Sequence, residues 1–270
     1  MKTRTHSFRN IALILLALIS TSSRSDAQST DSSRNVNHSK PTIVLVHGAW
    51  ADGSSWNKVI PILQKQGYET IAVQNPLTSL EDDVASVKRI LAEVPGDVIL
   101  VGHSWGGVVI TEMGNDPKVK SLVYVAAYAP DLGESIVSIS KDSYEIRKFP
   151  MSPVTDTDRI VSDGFIRLKE ATVLNYFAQD LPKSEARLIA AGQGRFHVST
   201  IIAKVSHLAW KTKPSFYIVA DLDKIIPPQT ESYMAKRINA KTYHLSGSHV
   251  VMLSQPEKVA EVILTAAKVK

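Results

Sequence analysis

"DVILVGHSWGGVVITEMG", residues 97–114, decides how this chain folds. Its first part, 97–102, is an apolar run that reads as a buried strand. Its last part, 105–114, reads as a helix. A glycine-rich turn joins them, with Ser104 at its centre. Gly102-His103-Ser104-Trp105-Gly106 fits G-x-S-x-G, and Gly107 follows. Alone the pattern is weak, because five residues with three fixed occur by chance. Its setting between strand and helix is that of a nucleophile elbow, in which a serine sits on a sharp turn. Small neighbours are needed there, because the backbone is strained and chain segments pass closely. The helix N-terminus just after Ser104 aims N–H groups at developing negative charge.

Outward from the elbow the pattern repeats. Apolar strands are predicted at 41–48, 68–74, 119–127, 215–221 and 240–246. Helical spacing falls between them. Residues 54–67 carry Trp56, Ile60 and Leu63, with Gly67 as a stop, and Pro61 should bend or shorten this helix. Residues 79–94 place Leu80, Val84, Val87, Ile90 and Leu91 on one face, with Ser79 and Asp82 as an imperfect capping box. Further helices are expected at 229–238 and 256–269. Alternation of this kind predicts an α/β fold, a mostly parallel sheet with helices on both faces. The alternation breaks between 130 and 210, where short helical pieces at 167–181 and 184–192 accompany Pro150 and Pro153. That segment reads as a helical cap, or lid, inserted over the sheet. The core is then 41–129 and 211–270.

The N-terminus reads as a targeting segment. Lys2, Arg4 and Arg9 precede the ten-residue apolar run "IALILLALIS". That run is too short for a bilayer core of about 30 Å. Ser25-Asp26-Ala27 fits a cleavage site, so 1–27 is a predicted signal peptide. The expected location is secreted or periplasmic, with no stable membrane insertion after cleavage. An uncleaved anchor is the alternative. The polar, serine-rich stretch 28–40 reads as a disordered leader. Removing 1–27 takes away four basic residues and one acidic one, and the net charge falls from +5 to +2. The remainder has no dense basic cluster, so no nucleic-acid partner is expected. The chain has no cysteine, which excludes disulfides, thiolate zinc sites and cysteine nucleophiles.

A serine nucleophile needs a base, and the base needs an orienting acid. After a nucleophile elbow the chain order is Ser, Asp or Glu, then His. Of eight histidines, His6 and His38 precede the core and His47 and His103 lie in turns beside the site. His197 and His207 belong to the insertion, and His244 falls inside a strand. His249 sits in a Gly/Ser loop between the last strand and the last helix, and it is the predicted base. Asp223 in "VADLDKIIPP" is the favoured acid, with Asp221 and Asp131 as alternatives. Oxyanion donors are expected from the backbone N–H groups of Trp105 and of Ala49 in "HGAW". Trp50, His103 and Phe177 are the candidate substrate-binding residues. No metal or cofactor is required.

Three signatures then line up: "HGAW", "GHSWGG", and "DKIIPP" followed by "SHVVMLSQPE". Over about residues 41–268 the chain resembles the α/β-hydrolase superfamily. It looks like the branch of plant methylesterases, hydroxynitrile lyases and related bacterial esterases. Methylesterases of that branch are similar at Asp223, Lys224, Ile226 and Pro227, and at His249, Met252, Leu253, Ser254 and Pro256. Two departures disfavour a lyase. The lyases carry a lysine directly after the triad histidine, where this chain has Val250. They carry a threonine after the first histidine of the oxyanion loop, where this chain has Gly48. The resemblance implies a serine hydrolase of carboxylic esters acting on a small molecule. Lactones, thioesters, amides or a lyase reaction use the same triad, and a non-catalytic binding protein on this scaffold is the other class. Activity should fall as pH drops through about 6–7, because the histidine base must be neutral. Neither the substrate nor the oligomeric state has a signature in the sequence.

Overall fold

The computed structural model describes residues 40–269. The predicted signal peptide, and all of the leader but Lys40, lie outside the described residues. Nine strands follow in order: β1 (Thr42–Val46), β2 (Thr70–Val73), β3 (Val98–His103), β4 (Val119–Val125), β5 (Arg159–Ser162), β6 (Phe165–Leu168), β7 (Phe196–His197), β8 (Ser215–Ala220) and β9 (Lys241–Leu245). Six of them form one sheet in the order β2-β1-β3-β4-β8-β9. Each neighbouring pair in it is parallel.

Side chains of a strand point alternately to its two faces, and here both faces are apolar. Val44, Val46, Leu100, Leu122, Tyr217 and Val219 join one core layer. Ile43, Leu45, Ile99, Val101, Val123 and Ile218 join the other. The first layer is closed by helices Leu80–Glu93, Gly106–Met113 and Pro228–Arg237. The second is closed by Ile60–Lys65 and Pro256–Ala266. At the sheet edge, β9 leaves Lys241, Thr242 and His244 exposed. Charged, polar side chains on an edge oppose unwanted strand pairing.

Two local readings are sharpened. The region 54–67 divides into a 3-10 turn at Gly53–Trp56 and a helix that starts at Ile60, with Pro61 in its first turn. Proline lacks an N–H and fits the first turn, where that donor has no helical partner. It therefore shortens the helix by starting it late. Ser79 Oγ accepts the Asp82 N–H at 3.0 Å. The Asp82 carboxylate turns to Thr78 Oγ1 at 2.6 Å, so half of the capping box forms.

Between β4 and β8 the chain forms short helices, including Ile136–Lys141, Lys183–Gly192 and Val198–Ile202. It also forms a three-stranded antiparallel sheet, β5-β6-β7, beyond the helices expected there. The β5–β6 hairpin turns at Asp163-Gly164, both at positive φ, 50° and 76°. An Asp-Gly pair at positive φ matches the right-handed twist of its flanking strands.

Candidate active site

Ser104 follows directly on β3 with a φ of +52°. This left-handed conformation leaves no room beside it. A Cβ on Gly102 would lie 2.5 Å from the Gly106 oxygen, and one on Gly106 would lie 2.5 Å from the Val46 oxygen. Main-chain bonds fix the turn. The Ser104 N–H donates to the Val125 oxygen at 3.2 Å, and the Ser104 oxygen accepts the Tyr128 N–H at 3.1 Å.

His249, in the loop after β9, places Nε2 at 2.8 Å from Ser104 Oγ. Its Nδ1 lies 2.5 Å from Asp223 Oδ2. An ionised carboxylate only accepts, so Nδ1 carries the hydrogen and Nε2 accepts from the serine. Asp223 Oδ1 accepts the Ile225 and Ile226 N–H groups at 2.6 and 3.0 Å. Of the three acids weighed from the sequence, Asp223 meets the histidine. Asp221 pairs with His244 at 2.8 Å, and Asp131 Oδ1 accepts the Leu132 N–H.

A second layer of buried groups holds this chain. Glu231 is fully buried behind Asp223, and its Oε2 accepts the Ala220 N–H at 3.1 Å. Burial, then the Asp223 charge, hold its carboxyl well above the usual carboxylate range. Burial lowers His103 well below the ordinary histidine value. Its neutral ring donates from Nε2 to the His249 main-chain oxygen at 2.9 Å. Burial also lowers His47. His47 Nε2 accepts the Asn75 N–H at 2.9 Å, and Nδ1 donates to the Gly48 oxygen at 2.9 Å, which fixes the loop bearing Ala49.

A cavity of about 470 Å³ opens over Ser104. Ala49, Trp50 and Trp105 line it from the core, and Tyr128, Ile136, Phe196 and Ile201 from the segment that follows β4. Among the described residues the Ala49 and Trp105 N–H groups have no acceptor, and both residues border Ser104 in this wall. Trp50 is held by its indole N–H, which donates to the Ile166 oxygen at 3.2 Å. Two predicted pocket residues stand elsewhere. His103 is fully buried beneath His249 and does not line the cavity. Its side chain points to the face of β3 that carries His249, where it acts as a support. Phe177 is fully buried with its ring 5.1 Å from the His249 ring, and borders a second cavity of about 330 Å³. Asp83, Tyr128 and Glu231 were not singled out from the sequence. Asp83 had a visible signal, as an acid on the apolar stripe of its helix. Among the described residues no three His, Asp or Glu side chains gather as metal ligands would.

Residues 43–262 match the alpha/beta hydrolase family. A pyrethroid hydrolase from Sphingobium wenxiniae is 26% identical over 244 residues, 82% of this chain and 85% of its own. An alpha-hydroxynitrile lyase from Arabidopsis thaliana is 25% identical over 244 residues, 82% of this chain and 94% of its own. The crystal structure of polyneuridine aldehyde esterase superposes with a TM-score of 0.70 at 20% identity, covering 84% of this chain and 98% of that one. That last likeness speaks to the fold. With its parallel sheet, its elbow and a family match across nearly all the described residues, the chain belongs to the alpha/beta hydrolase family.

Proposed function

We propose that this chain is a serine hydrolase that cleaves small carboxylic esters through an acyl-enzyme. The carrying observation is the continuous hydrogen-bonded line from Ser104 Oγ through His249 to Asp223, 2.8 and 2.5 Å, at the floor of a mainly apolar cavity. His249 Nε2 takes the serine proton as Oγ attacks the ester carbonyl carbon, and Asp223 stabilises the imidazolium. The carbonyl oxygen becomes an oxyanion facing the free N–H groups of Ala49 and Trp105. Each such donor is worth about 3 kcal/mol in the transition state. Collapse breaks the bond to the alkoxy oxygen, which leaves with the proton from His249. Water then attacks the acyl carbon by the same route, releasing the acid and restoring Ser104.

Two features oppose a cyanohydrin lyase. Val250 follows His249, buried and without charge. A Cβ on Gly48 would lie 2.6 Å from the Ser104 Cβ, so a threonine there would have to displace the serine. The basic and apolar segments of the first 27 residues favour action outside the cytoplasm. Hydrolysis of p-nitrophenyl acetate by wild type and Ser104→Ala tests the reading. The expected loss is at least about 10⁴-fold in kcat, with fluorophosphonate labelling of Ser104 in the wild type alone. Equal rates would remove Ser104 as the nucleophile. Absent turnover and absent labelling would favour a binding protein.

A further inference from the structure

We propose that Asp83 is a positioning residue of the oxyanion hole: through the Trp105 indole it holds the peptide N–H that receives the oxyanion. The inference rests on the serine-hydrolase reading above. Asp83 lies in the first turn of helix Leu80–Glu93 and is fully buried. It shares the core-facing side with Leu80, Val84, Val87 and Leu91, where an apolar residue is the ordinary choice. A carboxylate there is costly unless it is well hydrogen-bonded. Two donors meet it. The Trp105 indole N–H donates to Oδ2 at 2.6 Å, and the Leu77 main-chain N–H donates to Oδ1 at 2.8 Å. Neither donor is a cation. Burial therefore pushes the carboxyl up to about 6, against the pull of both bonds. An expensive acid thus serves two neutral donors, one of them on the residue after Ser104.

The indole bond matters because of where Trp105 sits. Its N–H borders the reacting serine, and its own peptide plane follows a residue held at positive φ. Oxyanion donors act only when aimed within about 2.7–3.1 Å of the developing charge. The Trp105 ring is buried, bonded to Asp83 and in edge-to-face contact with the Phe196 ring, whose centroid is 5.4 Å away. The other arm of Asp83 reaches the same region. Leu77, at a φ of +61°, accepts the His197 N–H at 2.9 Å through its main-chain oxygen. One carboxylate therefore braces the elbow on one side and, through Leu77, the strand bearing Phe196 on the other.

Asp83→Asn, Trp105→Phe and the double variant test this in the full chain. Phenylalanine keeps a ring and deletes the indole donor. Rates are taken per fluorophosphonate-labelled site, beside KM, affinity for a boronic acid that forms a tetrahedral adduct, and the thermal midpoint. Each single change should lower kcat about tenfold and weaken the boronic acid in step, with KM within about twofold. The double variant should be no worse than the poorer single, because both act on the same indole contact: asparagine has one acceptor oxygen for the two donors that Asp83 serves. Unchanged kcat per labelled site in a less stable protein would reduce Asp83 to a structural role and overturn the proposal. Additive losses in the double variant would overturn the route through the indole. If Asp83→Asn does not fold, Trp105→Phe decides by its kcat and boronic-acid affinity. Failure of the wild type to label or turn over would instead remove the serine-hydrolase reading itself.

Discussion

The sheet and the segment between β4 and β8 use apolar residues differently. Ile43, Leu45, Leu100, Val101 and Val123 of the sheet are fully buried, while Ile146, Leu188 and Ile202 of the intervening segment are 73%, 73% and 66% exposed. The sheet is sealed on both faces and ends in the three loops that carry Ser104, Asp223 and His249. The segment over it buries a smaller set of side chains, and several of those face the cavity. The difference teaches a division of labour. Burial in the sheet fixes the strand ends that lead to Ser104, Asp223 and His249, and side chains of the intervening segment line the cavity over Ser104.

The sharpest way to separate position from packing is Ser104→Ala. It should remove at least about 10⁴-fold of esterase kcat and leave the thermal midpoint no lower than that of the wild type. A matching loss of stability would mean that the activity loss reports unfolding. Leu100→Ala, by contrast, should cost about 3 kcal/mol in urea unfolding by opening a cavity in the sheet. Leu188→Ala, at an exposed site, should stay within about 0.5 kcal/mol. Similar costs at both sites would erase the distinction between the two layers.

Asp83 lies where the two layers meet, and its effect is set by pH. Burial raises its carboxyl from an ordinary value near 4 to about 6. The folded state holds that proton more tightly than the unfolded chain. The stabilisation is full below about pH 4 and is lost as pH rises through 6, by about 2–3 kcal/mol. Asp83→Asn should therefore gain on the wild type by that amount between pH 4 and 7 in urea titrations. A difference that stays flat would mean the carboxyl titrates normally. A smaller effect than that of Asp83 is expected at the cavity wall. Ile201→Ala should change kcat/KM for a bulky ester by up to about tenfold and leave p-nitrophenyl acetate near wild type. An equal change for both esters would place Ile201 in the scaffold and not in substrate selection.

Much of the sheet was legible because each central strand is apolar on both faces and each covering helix repeats its apolar stripe. Ser104, Asp223 and His249 were legible because each follows a strand end in a fixed order. What escaped depended on distance or direction. The partner of Asp83 is Trp105, 22 residues on, and no local pattern points across that gap. His103 and Phe177, two of the candidate substrate-binding residues, instead pack against His249 outside the cavity, a direction that composition does not carry. The β5–β6 hairpin had its signal in Asp163-Gly164, but its four-residue strands are too short for periodicity to separate them from helix. β7, of two residues, pairs with β6 from about 30 positions away.

The conformation of Ser104 has a consequence for anyone who seeks a sturdier protein. A side chain at a φ of +52° costs roughly 1–3 kcal/mol of folding free energy, and glycine at that position would relieve it. The residue that best suits the backbone there is one that cannot attack an ester. A search guided by heat resistance alone would be drawn to Ser104→Gly and would select, from its own library, the firmest inactive molecule.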